Sequence, residues 1–416
     1  MFKRKYPHYP LRSAIPLIRR KNPMEYRMKH QFGIREEAFV QTMHALTGSA
    51  LIPGNRVDVL RNGVQIFPSM LAAVRSARRS ITMETYIYWD GEIGRMFAEA
   101  LAERSRGGVQ VLLILDAVGS ASMSPSLLDF LKQNGVDISW YHPIRWYTLS
   151  KANHRTHRKL LIIDGRIGFT GGVGIADNWA GDADSEDHWR ETQVRVEGPA
   201  VTQMQFAFMD NWVKARGLVP TGLDFYPRVE PAGESLVNVI KSSPSEGVST
   251  VKLAYAIALV SAKERIWITN AYFIPDRDAL RALEGAARRG VDVRVIVPGR
   301  WTDVAVVRAA SHWHYERLLK RGIRIFEYQG TMIHAKTMVV DGGWTTIGSS
   351  NFDERSFRLN DEINVGIYDR GISRQMDRMF EEDLARSVEI SLPGWRKRPW
   401  LSRAKESLAE FLKPQL

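Results

Sequence analysis

Two stretches of the chain spell the same arrangement of proton-transferring and cationic side chains. His157, Lys159 and Asp164 stand in "HRKLLIID", and His334, Lys336 and Asp341 stand in "HAKTMVVD", both at the spacing H-x-K-x4-D. The apolar run after each lysine reads as a buried strand closed by an Asp-Gly turn. Side chains on a strand alternate faces, so each histidine and its lysine point the same way. Each stretch therefore offers a base or nucleophile beside a group that neutralises an anion. The aspartates fall on the opposite parity, at the turn, where they suit orienting a neighbour better than touching a substrate. A glycine-rich turn follows each strand, "FTGGVGIADNW" with Gly172 and "TIGSSNFDERSF" with Ser349, Ser350 and Asn351. Backbone amides and polar side chains in such turns hold anionic oxygens.

One histidine on a strand is ordinarily structural, but two matches at corresponding places in a duplicated frame are a strong signal. The duplication extends well beyond the motifs. The first copy reads "SITMETYIYW", "ALAERSRGGVQVLLILD", "LLDFLKQNGVDISWYHP" and then its motif; the second reads "RIWITNAYFIP", "ALRALEGAARRGVDVRVIVPG", "RLLKRGIRIFEYQG" and then its own. Apolar β-rich runs alternating with helical segments predict strand-helix-strand crossovers and a largely parallel sheet in each copy. The first copy carries a longer loop before its motif, "HPIRWYTLSKANHRT".

At 416 residues, two domains are expected. We divide the chain into a basic N-terminal segment (1–54), a first domain (55–217), a Pro, Gly and Ser-rich linker (218–235), a second domain (236–390) and a basic C-terminal segment (391–416). "SLVNVIKS", at the start of the second domain, reads as a strand. Hydrophobic content of 44% and charged content of 25% are those of a globular protein. With no cysteine, disulfides, thiolate metal sites and cysteine nucleophiles are excluded. The net charge of +12 calls for an anionic partner, nucleic acid or acidic lipid. No apolar run is long enough to span a bilayer and no signal peptide is recognisable, which points to the cytoplasm. Residues 1 to 30 hold nine Lys or Arg against one Glu and read as a solvated or disordered basic tail. In the C-terminal segment Leu401, Ala404, Leu408, Phe411 and Leu412 recur at helical spacing, with Trp395 and Trp400 before them; such a helix lies in a membrane interface or packs on its own domain.

The paired motifs resemble the signature of the phospholipase D superfamily, over roughly residues 55 to 390. "HWRETQVRVEGPAV", "NAYFIPD" and "NFDERSFRLNDEINV" are similar to the shorter bacterial cardiolipin synthases that lack transmembrane helices. The resemblance implies an α/β fold of two phospholipase D-like domains, each a mostly parallel or mixed sheet flanked by helices, related by a pseudo-two-fold axis that pools both motifs in one site. It implies phosphatidyl transfer through a phosphohistidine, with two phosphatidylglycerol molecules giving cardiolipin and glycerol. His157 is then the nucleophile and His334 the acid and base, an assignment that is reversible on sequence alone. Lys159, Lys336 and Asn351 clamp the nonbridging oxygens, with Ser349 and Gly172 near the phosphate, and Asp164 and Asp341 complete the motifs. Glu191 and Glu362 hold matching places in the repeat, each implied to support the histidine of the opposite copy. The alternatives are hydrolysis of phospholipid to phosphatidate and, further off, a nucleic-acid phosphodiesterase.

No cofactor and no metal is implied, and the partners are phosphatidylglycerol and an anionic membrane, at the cytoplasmic face of the inner membrane, rather than nucleic acid. One position departs from the family pattern, since Gly174 stands where the second copy has Asn351. His312 and His314, at i and i+2 on a helix, do not share a face as metal ligands would. His154 and His188 flank the site, and Trp146 and Tyr147, with Arg145 and Lys151, are candidates for a lipid entry.

Overall fold

The computed structural model describes residues 32–143, 153–244, 249–400, 406, 407 and 409. The basic tail, the loop carrying Arg145, Trp146, Tyr147 and Lys151, and Leu401, Ala404, Leu408, Phe411 and Leu412 lie outside the described residues.

The first half runs α1 (Glu37–Thr47), β1 (Leu51–Arg61), α2 (Asn62–Ser76), β2 (Ser80–Thr85), α3 (Glu92–Arg106), β3 (Gln110–Asp116), α4 (Pro125–Gln133), β4 (Asp137–Tyr141), β5 (Leu160–Ile163), β6 (Ile167–Gly171), β7 (Thr192–Glu197) and α5 (Val201–Arg216). The second runs β8 (Ser235–Ser242), α6 (Thr250–Ser261), β9 (Arg265–Asn270), β10 (Phe273–Ile274), α7 (Arg277–Arg288), β11 (Asp292–Pro298), α8 (Ala305–Leu319), β12 (Arg324–Tyr328), β13 (Lys336–Val340), β14 (Trp344–Gly348), β15 (Phe352–Asp353), α9 (Glu354–Arg358), β16 (Glu362–Tyr368), α10 (Arg370–Ala385), β17 (Ser387–Glu389) and α11 (Leu392–Arg396).

Local chemistry accounts for these elements. Helices begin where a short polar side chain satisfies a free amide: Ser124 accepts from Leu127 N before α4, Asp276 from Ala279 N before α7, and Asp369 from Gly371 N and Ile372 N before α10. Strand β3, "QVLLILD", is buried at every position after its first, as a strand covered by helices on both faces must be.

Among the described residues fifteen strands form one sheet in the order β17-β12-β11-β9-β13-β14-β16-β8-β1-β7-β6-β5-β2-β3-β4. Apart from β17, the order reads as one pattern and its reversal, meeting where β8 pairs antiparallel with β1. The segment "SLVNVIKS" is thus the strand that joins the halves. The sheet is mixed rather than largely parallel. Strands β2, β3 and β4, like β9, β11 and β12, pair in parallel through helical crossovers, whereas the strands of each motif pair antiparallel because short turns join them. Those turns are tight. Asp164 and Asp341 sit at φ 52° and 49°, each followed by a glycine that also has positive φ, as a type I′ turn requires.

The ends of the chain pack on the second half. Phe39 and Met43 of α1 are buried with Trp344 and Tyr255, although α1 precedes the first half in sequence. At the other end Trp395 is buried beneath Arg398, Arg398 Nη2 donates to Glu406 at 3.3 Å, and Ala409 packs on Ile274, Val307 and Ala310. Trp400 is exposed. Among the described residues no helix is long and apolar enough to cross a membrane.

Candidate active site

Neither motif histidine lies inside a strand: His157 stands three residues before the start of β5 and His334 two before that of β13. What fixes them is a pair of backbone bridges between the halves. His157 N donates to Asp361 O at 2.9 Å and Asp361 N to Arg155 O at 2.9 Å, while His334 N donates to Arg190 O at 2.8 Å and Arg190 N to Met332 O at 2.9 Å. Each bridge delivers the next residue, Glu362 or Glu191, to the imidazole of the other half. Glu362 Oε1 and Oε2 lie 3.0 and 3.1 Å from His157 Nδ1, and Glu191 Oε2 lies 2.7 Å from His334 Nδ1. Both glutamates are wholly buried and both histidines nearly so. A carboxylate on Nδ1 fixes the tautomer and leaves Nε2 for chemistry.

Buried arginines hold the bridges from behind. Arg190 donates to both carboxylate oxygens of Asp383 on α10, at 2.9 and 2.8 Å. Arg158 points away from its neighbours His157 and Lys159, donating to Ala207 O at 2.6 Å and lying 3.6 Å from Asp361, which also takes the hydroxyl of Tyr141 at 2.7 Å. Beside this cluster burial pushes Glu84 up to about 7, against the pull of Arg158.

The lysines fold back on their own histidines. Lys159 Nζ donates to His157 O at 3.0 Å, and Lys336 Nζ to His334 O at 2.6 Å. Lys336 Nζ is also 3.1 Å from both ring nitrogens of His334, a position in line with neither lone pair. Burial and the neighbouring ammonium pull Lys159 down to about 7, and burial pulls Lys336 down to about 8. Burial lowers His157 to about 4 despite Glu362, and lowers His334 with the help of Lys336. Burial opposes ionisation of the glutamates, yet His334 and Lys336 keep Glu191 below the ordinary range, as His157 and Lys159 do for Glu362. At neutral pH the site holds two neutral imidazoles on two carboxylates, beside two easily deprotonated ammoniums.

The structure divides the remaining sequence candidates. Ser349 Oγ donates to Glu362, so that hydroxyl is spent on the carboxylate. Gly172, its counterpart, lets Glu191 lie against the main chain, because a Cβ there would come 2.4 Å from Glu191 Oε2. Asn351 is nearly buried beside these groups, its backbone N–H donating to Ser356 Oγ at 3.1 Å and its side-chain Oδ1 without a partner among the described residues. Asp164 and Asp341 are not brought to the histidines. They sit at the far ends of β5 and β13, seven residues and roughly 20 Å of extended chain away. Asp164 accepts from the N–H groups of Arg78, Arg79 and Ser80, and Asp341 from those of Lys263, Glu264 and Arg265. The orienting role fits them, with a neighbouring strand as its object. His188 pairs with Asp184 at 2.8 Å, the carbonyl of His154 accepts from His142 Nδ1 at 2.9 Å, and His312 meets Glu327 at 3.0 Å.

Sequence reasoning missed the aromatic wall. Tyr86 stands edge-on to His157 with centroids 5.4 Å apart, while Trp179, Trp189 and Tyr272 surround His334 at 5.3, 5.5 and 6.3 Å. Trp179 also explains Gly174. A Cβ there would lie 2.9 Å from the indole, so the ring occupies the space an asparagine side chain needs. The available signal was "DNW" just after the first turn, where the second copy has "ERS".

The sequence profile described as "Cardiolipin synthase, PLD-like domain" matches residues 70–212 and 255–384. The chain belongs to this phospholipase D-like family. Each matched stretch contributes one histidine-lysine-aspartate motif and one of the buried glutamates, so the cardiolipin synthase profile covers the whole constellation. A cardiolipin synthase of Geobacillus kaustophilus is 36% identical over 366 residues, covering 87% of this chain and 72% of that protein. Cardiolipin synthase A of Pseudomonas putida F1 is 33% identical over 380 residues, 91% of this chain and 79% of that one. The crystal structure of a phosphatidylserine synthase from Haemophilus influenzae superposes with a TM-score of 0.70 at 11% identity, covering 91% and 97% of the two chains, a likeness of fold.

Proposed function

We propose that the protein is a phosphatidyltransferase that joins two phosphatidylglycerol molecules into cardiolipin and releases glycerol, working peripherally at the cytoplasmic face of the bacterial inner membrane. The reciprocal support of the two histidines carries the mechanism: each buried carboxylate holds Nδ1–H and leaves Nε2 as a lone pair or a proton donor. His157 Nε2 attacks phosphorus of the first lipid. The P–O bond to glycerol breaks as His334, neutral in the free site but drawn to take a proton on Nε2 from solvent when the anionic phosphodiester binds beside it, gives that proton to the departing oxygen. A hydroxyl of the second lipid then loses its proton to His334 and attacks the phosphohistidine; the P–N bond breaks and cardiolipin leaves.

Lys159 and Lys336 supply positive charge where the transition state gathers negative charge. Their bonds to the histidine carbonyls are neutral-acceptor bonds that a phosphodiester outcompetes. Assigning attack to His157 rests on its depressed basicity, which keeps the lone pair free at neutral pH.

Incubation of the purified protein with labelled phosphatidylglycerol vesicles, followed by separation of the lipids, tests the reading. Cardiolipin with an equal amount of glycerol is the expected result. Phosphatidate without cardiolipin replaces transfer by hydrolysis. A denaturing quench at alkaline pH during turnover, which preserves the acid-labile P–N bond, should trap phosphatidyl label on His157, and trapping on His334 instead reverses the two roles.

A further inference from the structure

Besides the two glutamates held on the histidines, a further carboxylate beside the site has the wrong sign for an anionic substrate. Asp303 is exposed in the loop between β11 and α8, and its carboxylate accepts the hydroxyl of Tyr272. Tyr272 stands edge-on to His334 at an interplanar angle of 87°, so a single phenol ring separates the carboxylate from the imidazole. The negative charge is felt there, since Asp303 favours the protonated forms of both His334 and Lys336. The corresponding loop of the first half holds no such group: Asp116 is buried and accepts from the N–H groups of Val118, Gly119 and Thr156.

A carboxylate beside a phosphodiester site repels the phosphate. It favours a ligand part that carries donors, because an ionised carboxylate only accepts hydrogen bonds. We propose that Asp303, positioned by Tyr272, is a specificity-determining residue that reads the free hydroxyls of a glycerol headgroup on the His334 side. The inference rests on the reading of His334 as the group beside the departing and incoming alcohol. Two features favour a polyol over an ammonium headgroup: Lys336 lies against His334 and repels a second cation, while the glycerol group carries two hydroxyls within two carbon-carbon bonds of the reacting oxygen.

The test compares kcat/KM for headgroup release from phosphatidylglycerol, phosphatidylethanol and phosphatidylethanolamine in vesicles, for the full chain and for Asp303→Ala and Tyr272→Phe. Phosphatidylethanol presents the same reacting bond without a free hydroxyl. Removing Asp303 also changes the basicity of His334, but equally for every lipid, so the ratio between lipids isolates the headgroup contact. Asp303→Ala should lower the phosphatidylglycerol to phosphatidylethanol ratio about tenfold or more. Tyr272→Phe, which leaves the carboxylate but frees it, should lower the ratio less. An unchanged ratio overturns the proposal, and so does a loss greater on phosphatidylethanolamine than on phosphatidylglycerol, which would make the subsite one for ammonium. If headgroups are released but cardiolipin never forms, transfer fails as the function while the ratio still decides the role of Asp303.

Discussion

The chemistry asks for a neutral imidazole and a charged ammonium at the same pH, and burial works for the first and against the second. With His157 brought down to about 4 and Lys159 to about 7, the free protein is competent in the window between them. Below it the nucleophile is protonated, and above it the phosphate clamp loses its charge. We therefore expect kcat/KM to rise as pH passes about 4 and to fall as it passes about 7. A bound phosphodiester restores the ammonium, so the alkaline limb of kcat should lie higher than that of kcat/KM. A kcat/KM still rising at pH 9 would contradict this account. The carboxylates are tested separately. Glu362→Gln places an amide donor against Nδ1–H and disfavours the working tautomer, as Glu191→Gln does for His334; each should cost roughly 10²- to 10⁴-fold in kcat with an unchanged circular dichroism spectrum. At this scale much was legible, because repetition separates these histidines, lysines and glutamates from structural look-alikes. Roles that depend on a neighbour distant in sequence were not. Nothing in "GSSN" announces that Ser349 serves Glu362, and nothing in "GRWTD" announces that Asp303 reaches Tyr272.

Turns and bridges, more than regular elements, carry the site. Asp164 gathers three backbone N–H groups that lead into β2, and thereby ties the turn after β5 to the strand beside it. Asp164→Ala should lower stability by about 3 kcal/mol in denaturant titrations, while folded protein keeps most of its activity. An equal loss of activity and unchanged stability would instead make Asp164 a participant in the chemistry. Arg190 and Asp383 face a different energetic balance, being fully buried and paired. Arg190→Ala strands Asp383 and should cost about 3–5 kcal/mol, together with activity, because the same residue carries the bridge to His334. The alternation of apolar strands and helices was readable and a mixed sheet was within the expectation, but the share of antiparallel pairing was underestimated. Crossover helices dominate the pattern, and the two short Asp-Gly turns that reverse the chain decide the centre of each half. The position of α1 was also illegible, since its apolar face fits any covered surface and only the second half leaves Trp344 and Tyr255 for it to cover.

As a whole the molecule is a cationic body of charge +12 whose proposed substrate lies in an anionic surface. Association with phosphatidylglycerol vesicles should weaken at least tenfold between about 0.05 and about 0.5 M salt. Flotation assays measure this, and salt-independent binding would point to apolar insertion instead. The twofold repetition was evident in the sequence, but the fusion of both copies into a single sheet was not, because the strands that fuse them, β1 and β8, lie outside the repeated motifs. The exchange of glutamates across that seam bears on synthesis of the chain. His157 emerges from the ribosome long before Glu362, and a nascent or truncated polypeptide ending before residue 362 holds a nucleophile with no partner to set its tautomer. On the mechanism proposed above, attack on phospholipid therefore waits until the chain has been made through residue 362.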